Sequence, residues 1–232
     1  MSRKILFFIW TISLFFACEK RGEIEVLFQE AEKLEGDIVN SLSTISRCKS
    51  NYERVLIDAP ESKFAPIACY KLGKLNEIFG HYDEAISFYR KLAAYYPEHP
   101  ICAEGLLNAA QIYENQLNKT EDAISAYQQV ITLYSDSKLT FQALFKQGML
   151  WCRKEQWKKA IDNFQKIIAI YPKHNLCDDL LFRIADISQF QMEDYQRAAQ
   201  SYQSLIESYP TSTWIKDARA RLAELNQERK KK

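Results

Sequence analysis

Three residue types in this 232-residue chain could do chemistry: six cysteines, three histidines and a scatter of carboxylates. Cys18 stands apart, because it closes an apolar run from Ile5 to Ala17 that follows Arg3 and Lys4. The other five, Cys48, Cys69, Cys102, Cys152 and Cys177, are an odd number. Cys102 and Cys177 hold the same place two repeat units apart, which puts them beyond the ~7 Å that a disulfide spans. This favours buried free thiols acting as small apolar residues. His99 and His174 each follow a Tyr-Pro pair by two residues, again two units apart. Layers of ~10 Å helices then separate them by roughly 20 Å, too far for one metal ion. They and His81 read as turn residues. There is no HExxH, no GxSxG and no Gly-rich phosphate loop, and isolated carboxylates on helices form a solvated face. The expectation is no catalytic residue, no metal and no other cofactor.

The run before Cys18 decides where the chain works. Thirteen helical residues reach only about 20 Å, short of a ~30 Å hydrocarbon layer, so Ile5 to Ala17 is a signal peptide and not a span. Leu14-Phe15-Phe16-Ala17-Cys18 resembles the lipobox of bacterial lipoproteins, with Phe15 in place of the usual Leu. That resemblance implies cleavage before Cys18, a diacylglycerol on its thiol, and a chain lipid-anchored on the periplasmic side of a membrane, the outer one favoured. An ordinary secretory peptide that happens to end in Cys is the other reading. Cleavage leaves 29 basic against 30 acidic side chains. Without a basic excess to neutralise phosphates, nucleic acid is not an expected partner.

The positioning elements are legible from repetition. Ala85, Ala123, Ala160 and Ala198 recur at spacings of 38, 37 and 38, and so do Tyr89, Tyr127, Phe164 and Tyr202. Tyr96-Pro97, Tyr134-Ser135, Tyr171-Pro172 and Tyr209-Pro210 keep the same period. Gly73, Ala110, Gly148 and Ala185 lie 12 or 13 residues before each repeated Ala, which places a second small residue on a preceding helix. Each unit is therefore a helix pair: small residues let the backbones approach, the aromatic fills the space beside them, and Tyr-Pro closes the second helix. Gly36, Cys48, Tyr52, Val55 and Pro60 make a fifth copy in the same register. Downstream, Trp214, Ile215, Ala218, Leu222 and Leu225 line one face of a last helix that ends in a charged tail. The expected divisions are 1–17 signal peptide, 18–28 anchor and linker, 29–214 five helix pairs, and 213–232 capping helix.

The pattern of two small residues, an aromatic and a closing proline resembles the tetratricopeptide repeat, lengthened by a few residues and without that family's Trp in the first helix. It implies an all-α, right-handed solenoid of about five helix pairs with a C-terminal capping helix, acting as a non-enzymatic scaffold. Lengthened units behind a lipid anchor resemble the envelope lipoproteins of outer-membrane β-barrel assembly. The periplasmic coordinators of the Tol-Pal system carry similar repeats behind a coiled coil. The partners so implied are envelope proteins or peptide segments held in a concave groove. The family's groove positions fall on Lys33, Tyr70, Leu107, Phe145 and Phe182, then on Asp37, Lys74, Gln111, Met149 and Asp186, then on Asn40, Glu77, Glu114, Cys152 and Gln189. Tyr70, Leu107, Phe145, Phe182 and Met149 form its apolar middle. Apolar residues at helical spacing are also what packs a core, so both roles stand open for Tyr70, Phe145 and Phe182.

Overall fold

The computed structural model describes residues 22–36 and 42–231, and every regular element among them is helical. In chain order these are α1 (22–36), α2 (Leu42–Asp58), α3 (Ala65–Ile78), α4 (Tyr82–Tyr95), α5 (Cys102–Asn115) and α6 (Thr120–Leu133). There follow α7 (Thr140–Arg153), α8 (Trp157–Ile170), α9 (Cys177–Asp186), a π-helical turn (Ile187–Gln191), α10 (Tyr195–Ser208) and α11 (Ile215–Lys231). The all-α fold expected from the periodicity is thus present, with α11 as the last helix. Residues 22–28, assigned from the sequence to the linker, instead begin α1: Ile24, Leu27 and Phe28 are buried against Cys48, Tyr52 and Val55 of α2. The chain divides into two compact units, one up to Asn118 and one from Lys119.

Packing inside a pair follows the small-residue logic. A Cβ placed on Gly73 lands 2.5 Å from the Tyr89 ring, and one on Gly148 lands 2.5 Å from the Phe164 ring, distances no real side chain tolerates. The repeated Ala85, Ala123, Ala160 and Ala198 are fully buried, as are Tyr89, Tyr127, Phe164 and Tyr202. A buried tyrosine must still place its hydroxyl. Tyr52 donates to Glu35 (2.9 Å), Tyr89 to Glu77 (2.8 Å) and Tyr202 to Asp186 (2.6 Å), a carboxylate of the facing helix each time.

The two kinds of loop have fixed chemistry. In the turns between paired helices, one residue sits five before each repeated Ala with positive φ: Gly80 (75°), Asn118 (51°), Glu155 (57°) and Glu193 (53°). Glycine enters that region freely, and for glutamate it carries strain. Units whose small positions are 13 apart place the extra residue before this point; ahead of Glu193 it is taken up by the π-helical turn. In the loops between units, His99 Nδ1, Ser137 Oγ, His174 Nδ1 and Ser212 Oγ accept from the backbone N–H two residues on, at 3.2 to 3.3 Å. Three residues later Cys102 Sγ, Thr140 Oγ1 and Cys177 Sγ donate to the carbonyls of Tyr96, Tyr134 and Tyr171, at 2.8, 2.7 and 3.1 Å. Helices α6 and α8 end at the same register although Ser135 replaces the proline, so these bonds hold the loop without it.

Candidate functional site

The second unit carries an aromatic cleft. The π-helical turn carries Ile187, Phe190 and Gln191 to its rim, while α9 presents Asp179, Phe182, Arg183 and Asp186. Phe145 of α7, Trp157 at the start of α8 and Trp214 just before α11 complete the aromatic walls around a volume of about 520 Å³. Phe182 is stacked on Trp214, with centroids 4.4 Å apart and planes at 19°, and meets Tyr202 edge-on at 5.6 Å. Trp214 turns its indole N–H to the Asp179 carboxylate, and Arg221 lies 5.0 Å over the Phe190 ring. Phe145 is parallel to Phe141, which is stacked on His174 at 3.8 Å. Aromatic rings of this kind offer large apolar area at low entropic cost, and the charged groups fix orientation. The cleft thus sets apolar ring faces beside the Asp179 and Asp186 carboxylates and the Arg183 guanidinium.

Of the positions expected to form a groove, Phe145 and Phe182 are half-buried walls of this cleft, so each serves both packing and surface. Met149 packs against the same core as Phe145 without lining the cleft. In the first unit Leu107 is 3% exposed, so it packs in the core and offers a ligand nothing. Tyr70 there is half-buried: its hydroxyl donates to Glu104 at 2.6 Å and its ring lies 5.9 Å from that of Tyr89. Burial first, then the Glu104 carboxylate, raises its pKa. The acidic edge of the expected groove is spent internally, since Glu77 serves Tyr89 and Lys74 and Asp186 serves Tyr202. Cys18, Asp37 and Asn40 lie outside the described residues. Trp157, Phe190 and Trp214 were not among the expected site residues; the extra residue between Ala185 and Ala198 was the one signal that the chain departs from its repeat there.

The five other cysteines carry free thiols, four of them buried and Cys152 half-buried. Burial pushes Cys69 up to about 12 and, with Glu35 nearby, Cys48 to about 11. Among the described residues no group of three His, Cys, Asp or Glu side chains is placed to hold a metal ion.

Tandem antiparallel helix pairs with small residues at one register define the class: a helical-repeat protein. The family model of the soluble NSF attachment protein, SNAP, matches residues 58–179, a little over half of the chain, and that of the tetratricopeptide repeat matches residues 179–212. By the first match the chain belongs to the family of the soluble NSF attachment protein model, and by the second it carries a tetratricopeptide repeat. A TPR repeat-containing protein of Methanocaldococcus jannaschii is 26% identical over 193 residues, covering 72% of this chain and 34% of that one. The chain therefore spans about a third of that relative's length. Among solved structures, the MamA protein superposes with a TM-score of 0.53 at 18% identity, over 80% of this chain and 91% of that one. A tetratricopeptide repeat protein from Parabacteroides merdae gives 0.51 at 20% identity, over 85% and 72%. These likenesses concern the fold.

Proposed function

We propose that this chain is a non-enzymatic scaffold, lipid-anchored through Cys18 on the periplasmic side of the outer membrane, which holds apolar segments of envelope proteins in the aromatic cleft of its second unit. Its assignment is to outer-membrane β-barrel assembly, in the manner of the lipoprotein BamD. The observation that carries the binding role is the cleft itself: Phe145, Trp157, Phe182, Phe190 and Trp214 wall a space of about 520 Å³ beside Arg183, the composition of a peptide-anchor site. The anchor rests on the lipobox-like Leu14 to Cys18 and the apolar run before it.

The test has two arms. Wild type and Cys18→Ser are fractionated after a high-salt wash, with the expectation that only wild type stays with the outer membrane, since only a thiol accepts the diacylglycerol. Equal membrane retention of the two refutes the anchor. A photo-crosslinking residue at position 190 is then expected to capture β-barrel assembly components. Adducts confined to peptidoglycan-associated or Tol-Pal proteins instead assign the scaffold to envelope organisation.

A further inference from the structure

We infer that one end of the first unit is a lipid-contacting edge, resting on the neutral bilayer surface that receives the anchor. This rests on the reading of Cys18 as the acylated residue. Only Glu19, Lys20 and Arg21 separate Cys18 from Gly22, where α1 begins. Four residue steps span at most about 14 Å, so an acylated Cys18 keeps the start of α1 within that distance of the membrane interface.

The structure shows what else lies at that end. Arg54 bridges Glu23 at 3.6 Å, which sets the last turn of α2 beside the first turn of α1. The loop after α2, Pro60 to Lys63, in turn faces the loop after α4 across a cleft of about 660 Å³ that Tyr95 also lines. On this one edge Val26 is 63% exposed, Ile57 76% and Tyr95 74%. Ile57 and Tyr95 hold one repeat register, which Leu133 (65%) and Ile170 (54%) continue in the second unit, so the exposure belongs to the repeat; the anchor is what gives its first-unit members, with Val26, an apolar medium within reach. Tyrosine suits such an edge, with its ring in the apolar layer and its hydroxyl in water.

Charge selects the kind of surface. Glu23, Glu25, Asp58, Glu61 and Glu98 lie in the first two turns of α1, at the end of α2 and in the two loops, against Arg54 and Lys63, and the tether from Cys18 adds Glu19, Lys20 and Arg21. Six acidic against four basic side chains leave a small acidic excess that anionic headgroups repel, so the contact is with zwitterionic lipid.

The experiment uses the full acylated chain, its acylation checked by intact mass, in phosphatidylcholine vesicles brominated on the acyl chains. The native indoles beyond the signal peptide, Trp151, Trp157 and Trp214, all lie in the second unit and give the background. Ile57→Trp and Tyr95→Trp, at exposed positions that tolerate the larger ring, are expected to lose emission to the brominated lipid and to lose less when phosphatidylglycerol is added. Ile78→Trp is the control. It is 64% exposed and sits at the far end of α3, about 20 Å along the helix axis, and its emission should stay at background. Acylated protein with no quenching at position 57, or with equal quenching at 57 and 78, overturns the proposal. So does burial of the new indole that grows with protein concentration, which gives the edge to a second copy. A mass without acyl chains overturns the anchor reading, and this proposal with it.

Discussion

Cysteine shows how differently one residue type is used along this chain. Cys48 stands where the other units have alanine, donates weakly to the Ala31 carbonyl at 3.3 Å and is fully buried, so it is kept for its size. Cys102 and Cys177 stand where another unit has Thr140, and like it they close a loop through a hydrogen bond. The sequence showed that these two thiols could not pair; their equivalence to Thr140 was hidden because it depends on where the preceding carbonyl points. Burial gives the thiols a measurable consequence. Cys48 and Cys69 remain protonated in the native protein up to about 11 and 12, whereas an unfolded thiol loses its proton near 9. Above pH 9 the unfolded chain therefore binds fewer protons than the native one, and stability falls as pH rises, by up to about 1.4 kcal/mol per pH unit for each such thiol. Below pH 9 this contribution is constant. Urea midpoints should accordingly be flat from pH 7 to 8.5 and decline by pH 10.5, with a shallower decline in Cys48→Ala. A wild-type midpoint that holds to pH 10.5 contradicts the burial argument.

At the scale of elements, helix pairs were legible because small residues and aromatics recur with one period, and a period is robust to substitution at any one site. Element ends were less so. The Tyr-Pro pairs mark the ends of second helices, yet α6 ends identically at Tyr134-Ser135. What four of the five loops share is an acceptor side chain, histidine in two and serine in two, whereas Ser62 holds the same place in the first with its Oγ unpartnered, and sequence similarity does not connect imidazole with hydroxyl. The exchange can be tested directly. His99→Ser should leave the melting temperature near that of wild type, because Ser137 and Ser212 already do this work. His99→Ala leaves the Ile101 N–H without its acceptor and should cost about 0.5–1.5 kcal/mol. Equal melting of the two variants would mean that the loop is held by its backbone bonds alone. The π-helical turn is the other feature of this scale. Its cause, a spacing of 13 in place of 12 from Ala185 to Ala198, was countable in advance, but its effect was not, since the α5 to α6 connection has the same spacing and no π-helical turn.

For the molecule as a whole, the division at Asn118 could not be read from the sequence, because the turn there uses the same positive-φ position as every other paired-helix turn. The expected groove had its apolar middle on Tyr70, Leu107, Phe145, Phe182 and Met149, whereas in the structure Phe145 and Phe182 line the cleft of the second unit and Leu107 is buried in the first. A one-register ladder cannot reveal this, since Trp157, Phe190 and Trp214 occupy registers outside it. Phe190 and Phe182 then separate binding from packing. Phe190 is 50% exposed, so Phe190→Ala removes little buried area and should shift the melting temperature slightly. Phe182 is stacked on Trp214 and meets Tyr202, so Phe182→Ala opens a gap between α9 and α10 and should cost about 3 kcal/mol or more of stability. If the cleft holds the partner, both variants should weaken the complex by about 2 kcal/mol, a roughly thirtyfold rise in Kd, as aromatic anchors do. Titration of each folded variant with the partner captured at position 190, beside a thermal melt, reads both quantities. Undiminished binding by Phe190→Ala and by folded Phe182→Ala would remove the cleft from consideration and leave the exposed edge of the first unit as the surface to examine.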